Sequence, residues 1–300
     1  MSLKLQTNRA IPLLEDAHTR KYAVPAMCCY NTEGILATIR AAEAKRSPAM
    51  ILLFPWAIEY AGGLLVQLAA TAARQASVPI TLHLDHAQSP DMVRRAADMA
   101  HGFDSIMIDM SHYERARNLE LTRELAAYCA SRGIATEAEP GRIEGGEDGI
   151  EDTVDLEAVL TTPADALEFA ETGIDWLAPA FGNVHGSYGP RGIVLEYDRL
   201  SSIREAVGDR VKLVLHGADP MTGEHFGRCI AEGGVAKVNI NKVLNGPCTQ
   251  VWAEWAGKRP LTAVIEEATE RMQIAVEGCM DLLGSTGKAD NMTASVPGRH

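Results

Sequence analysis

Three histidines stand where short apolar runs of this chain end. They are His86 in Leu82-His83-Leu84-Asp85-His86, His185 in Gly182-Asn183-Val184-His185-Gly186, and His216 in Leu215-His216-Gly217. A lone histidine in such a place more often hydrogen-bonds a loop carbonyl. Three together, each beside Gly or Asp, point instead to a metal site. Zinc favours neutral imidazole ligands and, where it is catalytic, keeps one position open for water or substrate. Carboxylates lie close by: Asp85 precedes His86, and Glu139 follows Glu137 by two residues. Adjacent strand residues point to opposite sides, but a chain turning out of its strand can aim both inward. His86 can then hold a metal while Asp85 serves substrate as acid or base. The competing role for Asp85 is to cap a helix starting near Pro90.

Such a site needs elements that bring distant segments to one rim. Eight short apolar runs read as strands: Tyr22–Tyr30, Pro48–Phe54, Pro79–Asp85, Ser105–Met110, Ile134–Pro140, Trp176–Gly182, Val211–Gly217 and Val235–Asn241. They show little polar–apolar alternation, as expected of strands covered on both faces. Helical patterns lie between them, from Thr32–Lys45 to Thr222–Glu232, with a last helical region from about Val243 to Leu283. Eight strand-then-helix units in this length predict a (β/α)8 TIM barrel of the α/β class, with chemistry at the C-terminal ends of the strands. A doubly wound sheet would usually carry a Gly-rich turn after its first strand, whereas this strand ends in Met27-Cys28-Cys29-Tyr30-Asn31. One barrel domain over 1–283 is expected. The stretch Gly284–His300 reads as a tail that frays. The long segment Gly141–Thr162, rich in Gly and acids, reads as a lid.

Composition narrows the function further. Of 300 residues 46% are apolar and 23% charged, and the net charge is −12. That excludes a mostly disordered chain. No Lys/Arg run resembles a nucleic-acid footprint, no segment is long and apolar enough for a membrane span, and Met1–Arg20 lacks the apolar core of a signal peptide. Neither nucleic acid nor membrane is therefore expected as a partner. The six cysteines (Cys28, Cys29, Cys129, Cys229, Cys248 and Cys279) form no C-x-x-C pair. Reduced thiols and a cytoplasmic location are expected.

At these residues the chain resembles the class II, metal-dependent ketose-bisphosphate aldolases, a family that includes fructose- and tagatose-1,6-bisphosphate aldolases. The likeness runs from about Lys21 to Leu283. It is carried in order by Tyr22-Ala23-Val24-Pro25-Ala26, Leu82-His83-Leu84-Asp85-His86, Ser105-Ile106-Met107-Ile108-Asp109-Met110-Ser111-His112, Glu137-Ala138-Glu139-Pro140-Gly141, Gly145-Gly146-Glu147-Asp148-Gly149, Phe181-Gly182-Asn183-Val184-His185-Gly186, Leu215-His216-Gly217-Ala218 and Lys237-Val238-Asn239-Ile240. The resemblance implies a (β/α)8 barrel and one catalytic Zn2+ held by His86, His185 and His216. A second divalent or a monovalent cation is the further option. It implies Glu139 as an alternative metal position and Asp109 as either a second-metal ligand or a structural acid. It implies Asp85 as the carrier of the aldol hydroxyl proton and Glu147 as the carboxylate for proton exchange at carbon. Gly186, Gly217 and Asn239 match substrate-contacting positions. A small sugar or ketose phosphate substrate and a homodimer or homotetramer are implied too. The chemistry is coherent: zinc chelated by adjacent hydroxyl and carbonyl oxygens stabilises the enediolate formed when the carbon–carbon bond breaks. The rivals are a zinc hydrolase or isomerase, and a binding barrel without turnover. Retention of both Asp85 and Glu147 speaks against the last.

Departures from the family pattern cluster around substrate. Cys28 replaces an Asn at the end of strand one, and Phe54-Pro55-Trp56 stands where Ser or Thr is usual. After His216 the chain reads Gly217-Ala218-Asp219-Pro220 where the family has a phosphate-binding Ser, and Asn241-Lys242 replaces Asp or Ala followed by Thr. A carboxylate at a phosphate pocket repels it by about 4 kcal/mol at 4 Å and an effective dielectric of 20. Lys242 could compensate, as partner of Asp219 or as a point charge for phosphate. The expectation is an aldolase whose ketone donor differs from the standard dihydroxyacetone phosphate.

Overall fold

The computed structural model describes residues 3–146, 148 and 158–292. Eight parallel strands close into a barrel: β1 Val24–Cys28, β2 Ala49–Leu53, β3 Ile80–Ala87, β4 Ser105–Ile108, β5 Ala135–Ala138, β6 Trp176–Leu177, β7 Lys212–Leu215 and β8 Val235–Ile240. Each pairs with its neighbours in chain order, and β8 returns to β1 with Val24 opposite Lys237 and Ala26 opposite Asn239. The predicted TIM barrel and its eight strands are thus present.

Around it run α1 Ala10–Arg20, α2 Thr32–Lys45, α3 Pro55–Ala61, α4 Leu64–Gln75, α5 Pro90–Ala97, α6 Arg115–Ala130, α7 Pro163–Ala170, α8 Tyr197–Val207, α9 Gly223–Ala231, α10 Lys242–Trp255 and α11 Leu261–Leu282. The missing alternation in the strands has a direct cause. Val24, Ala26 and Cys28 join the lumen cluster with Met50, Leu52 and Trp176. Met27, Ile51 and Leu53 join the outer cluster under the helices. Both faces of these strands are buried, so apolar residues fall on both. Helix starts follow local chemistry: the Asn31 side chain accepts from Gly34 N to open α2, and Ser89 accepts from Met92 N to open α5. The cap before Pro90 is therefore Ser89, which leaves Asp85 free for other work.

Three features differ from the sequence reading. First, α1 buries Ala10, Leu13, Leu14 and Ala17 against β1, β7 and β8 and so closes the N-terminal end of the barrel. Its signal is helical spacing rather than an apolar run, which is why a search for a signal core passes over it. Second, Pro55 starts α3, a use of proline suited to the first turn of a helix. Third, residues 284–292 pack against the barrel. The hydroxyls of Ser285 and Ser47 lie 2.7 Å apart, Gly287 N and Ala289 N donate to the Lys45 and Arg46 carbonyls, and Met292 packs into the lumen cluster beside Tyr22. Polar composition suggested a loose end, but the small side chains allow backbone pairing and Met292 supplies an apolar anchor. Residues 293–300 lie outside the described residues.

The stems of the long 141–162 segment are tied down. Arg142 and Val159 exchange backbone hydrogen bonds of 2.8 and 3.0 Å, and Glu144–Gly145 pairs in parallel with Val184–His185. The latter contact fixes the segment to a candidate metal ligand.

Candidate active site

The end of β3 carries the local device that the site needs. His86 adopts a left-handed backbone (φ 46°), and the β3–β4 register slips between Leu84 and Ala87. Such a φ is uncommon for a residue other than Gly and tends to occur at functional sites. The turn reconciles neighbours that a regular strand would point apart. Asp85 remains in the lumen, where its Oδ1 lies 3.8 Å from His83 Nε2. His86 reaches the rim, where it meets His185 and His216.

His86 Nε2 is 3.1 Å from His216 Nδ1, which is 3.3 Å from His185 Nε2. Four-coordinate zinc with bonds of ~2.0–2.1 Å places its ligands about 3.3–3.4 Å apart; these two distances match that spacing, and all three rings offer ligand atoms within 4.8 Å of one another. The far sides of two of them are held as metal-binding imidazoles usually are. His86 Nδ1 donates to Asp109 Oδ2 at 2.8 Å, and His216 Nε2 donates to Glu137 Oε1 at 2.8 Å. Each bond keeps a proton on the far nitrogen, so that the neutral ring has its lone pair facing the centre. All three rings are buried. Burial and the neighbouring His86 hold His185 and His216 well below the ordinary histidine range. Burial also opposes charge on His86, but Asp85, Asp109 and Glu139 outweigh it and lift the ring to about 10. Without a cation the carboxylates draw a proton onto this histidine, and a metal would take that place.

Buried polar atoms without a hydrogen-bond partner cost free energy, and in native proteins each calls for an explanation. Asp85 Oδ1, Glu139 Oε2, His83 Nε2 and Asn239 Oδ1 are such atoms among the described residues. Burial raises the pKa of Asp85 and, reinforced by Asp109, that of Glu139. The other Asp85 oxygen accepts from Asn239 Nδ2 at 2.8 Å. Glu139 Oε1 accepts from Ile143 N. His86, Asp109 and Glu139 form a second group whose ligand atoms lie within 4.8 Å of one another. Asp109 is heavily engaged, however: beyond His86, its Oδ1 accepts from both Ser111 N and Ser111 Oγ.

The remaining predicted residues spread around this rim. Cys28 is fully buried at the end of β1. Gly217 (φ 70°) lies so close to loop 184 that a Cβ would stand 2.3 Å from the Val184 carbonyl oxygen, so only glycine fits there. Gly186 faces Lys242, whose Nζ lies 3.7 Å from where a Cβ would be. Asn241 donates to the Tyr30 hydroxyl at 2.9 Å. Asp219 points at the start of α10 rather than at the metal group: its Oδ1 accepts from Asn241 N (3.0 Å) and Val243 N (3.2 Å). Glu147 lies outside the described residues.

Sequence reasoning passed over one group and left a second without a defined place. Lys237 Nζ donates to Glu137 Oε2 at 2.6 Å, with both side chains fully buried in the lumen. The signal was available: a Lys and a Glu inside apolar strands must find partners. Lys237→Met should destabilise the protein by about 3–5 kcal/mol, since it strands the Glu137 charge. The double variant Lys237→Met/Glu137→Gln should recover part of that loss in a urea melt. Additivity of the two changes would show that the pair is not coupled. The second group is aromatic. Phe54 stacks on His86 (6.1 Å, 15°) and on Tyr30 (5.6 Å, 19°), and Trp56 meets Tyr30 edge-on at 6.2 Å. The Phe54-Pro55-Trp56 departure thus builds an aromatic wall on one side of the site.

Three imidazoles that could hold a cation, beside a buried, half-satisfied carboxylate at the C-terminal rim of a barrel, suit reversible carbon–carbon cleavage next to a carbonyl. The barrel and this rim fit a metal-dependent aldehyde-lyase. Comparison with known proteins agrees. The sequence profile "Fructose-bisphosphate aldolase class-II" matches residues 8–288. A "Putative fructose-bisphosphate aldolase" of Coccidioides immitis (strain RS) is 65% identical over 294 residues, covering 96% of this chain and 97% of that protein. The crystal structure of a protein so described from Coccidioides immitis superposes with a TM-score of 0.93 at 66% identity, over 95% of this chain and 99% of that one. The YdjI aldolase of Escherichia coli K12 gives 0.78 at 28% identity, over 92% and 97%. The chain belongs to the class II fructose-bisphosphate aldolase family, in which zinc dependence is general and the substrate is a small sugar phosphate. Among the described residues no helix is long and apolar enough to cross a membrane.

Proposed function

We propose that the protein uses one Zn2+, held by His86 Nε2, His185 Nε2 and His216 Nδ1, to cleave and form a ketose carbon–carbon bond. The observation that carries this reading is the spacing of the three nitrogens together with the carboxylates behind His86 and His216. When bound, the metal supplies a Lewis acid for the hydroxyl and carbonyl oxygens of the ketone. Asp85 takes the hydroxyl proton in cleavage and returns it in condensation. Its raised affinity for a proton suits that exchange, and Asn239 holds the carboxylate in place from one side. Asp109 orients His86, since both of its oxygens are already engaged. Glu139, with one buried oxygen unpartnered, supports an alternative metal position. Family resemblance alone supports Glu147 as the group that moves the proton at carbon. A homodimer or homotetramer in the cytoplasm completes the proposal.

The test joins metal content to turnover. Purified protein should hold one zinc per chain and lose ketose cleavage on treatment with a chelator. Its Tm should fall as well, because a ligand of the folded state stabilises it by mass action. Full cleavage in metal-free protein would sink the reading.

A further inference from the structure

We propose that Asp219 stands in for the phosphate of the donor, and that the donor is an unphosphorylated hydroxyketone. This rests on the aldolase reading above and specifies its substrate. Barrels commonly bind phosphate between the loops after the seventh and eighth strands, at the N-terminus of a helix. In this chain those loops are Gly217–Pro220 and Asn241–Lys242, and the helix is α10. The backbone N–H groups at that terminus have no partner within the helix and suit an anion. The anion already there is internal. Asp219 Oδ1 accepts from Asn241 N at 3.0 Å and from Val243 N at 3.2 Å.

The carboxylate is held in place by its own loop. Met221 N donates to the Ala218 carbonyl at 2.9 Å, closing a turn with Asp219 and Pro220 at its centre. Pro220 restricts the backbone and offers no N–H to an anion. Asn241 cannot swing in as a replacement donor without loss, because its amide is spent on Tyr30 and its Oδ1 accepts from Asn245 Nδ2. A phosphate would have to displace one negative group from two amides or lie against it. A neutral hydroxymethyl end meets neither obstacle. Lys242 is the counterweight: it is exposed, and its ammonium lies on the Gly186 side of the rim.

Exchange of donor carbinol protons into heavy water, followed by NMR on the zinc-loaded protein, decides the matter. Dihydroxyacetone and dihydroxyacetone phosphate are compared in wild type, Asp219→Asn and Asp219→Ser. The Asn variant keeps an oxygen for the two amides and removes the charge, while the Ser variant also opens the space; thermal melts check that both fold. Wild type should exchange dihydroxyacetone with the higher kcat/KM. Both variants should shift the ratio towards the phosphate ester by about a hundredfold or more, as removal of a close like charge requires. A wild type that prefers the phosphate ester overturns the proposal and leaves the aldolase reading intact. A ratio that does not move in folded variants overturns the role of Asp219. Exchange of neither donor sinks the aldolase reading, and this inference with it.

Discussion

Replacing His216 with alanine should release the metal and lower kcat/KM by about 10⁴-fold or more, since a three-ligand zinc site cannot spare a ligand. His216 Nδ1 is the nitrogen shared by both short ligand–ligand distances, to His86 and to His185. Its loss leaves two nitrogens with no common neighbour. The surrounding structure should survive, because Glu137 keeps its bond to Lys237. The variant would be assayed for zinc per chain, ketose cleavage and thermal melting. A folded His216→Ala protein that retains a full complement of zinc and normal turnover would show that the three imidazoles are not the metal centre. His86→Ala offers an independent arm. Asp109 would keep its two bonds from Ser111, so the loss would again be confined to the metal group.

Asp85→Asn should lower ketose cleavage by about 10²–10⁴-fold, the usual range for losing a general acid–base group, with zinc content unchanged. The substitution preserves shape. An asparagine oxygen can still accept from Asn239 Nδ2, while the amide replaces the unpartnered Oδ1. What disappears is the ability to carry a proton. Carbinol-proton exchange of the donor alone should fall much less than cleavage, because it involves no aldol hydroxyl. Equal losses in both assays would assign Asp85 to the carbon proton instead and remove Glu147 from that role.

Much of this was legible in the residues, for physical reasons. A strand buried on both faces carries apolar residues on both, so the eight strands showed as mainly apolar runs bounded by helical periodicity. Histidines at the ends of such runs stood out because barrel geometry gathers strand ends at one rim. The left-handed turn at His86 was not legible. Nothing in Leu84-Asp85-His86-Ala87 requires it, and it is imposed by tertiary contacts: the Asp109 bond on one side and the His216 ring on the other. The Lys237–Glu137 pair was readable in principle, since both lie in apolar strands, but strand order alone does not say which acid meets which base. Asp219 illustrates the opposite case. Its sequence position predicted electrostatic conflict with a phosphate, while its two amide contacts show that it is itself a satisfied anion. The docked segment 285–292 escaped notice because composition reports average polarity and is blind to one anchoring methionine.

The closure of the barrel bears on how the chain acquires its structure. β1 is held on one edge by β8, more than two hundred residues later, through the Val24–Lys237 and Ala26–Asn239 pairings. Its flank, Tyr22, touches Met292, and Arg20 donates to the Lys288 carbonyl. Contacts of such high sequence separation slow folding, because loop-closure entropy must be overcome before they form. During synthesis the first strand therefore emerges from the ribosome with its partner edge exposed and waits until nearly the whole chain has been made. α1, which covers the same end of the lumen, is available from the outset to shield β1 while it waits.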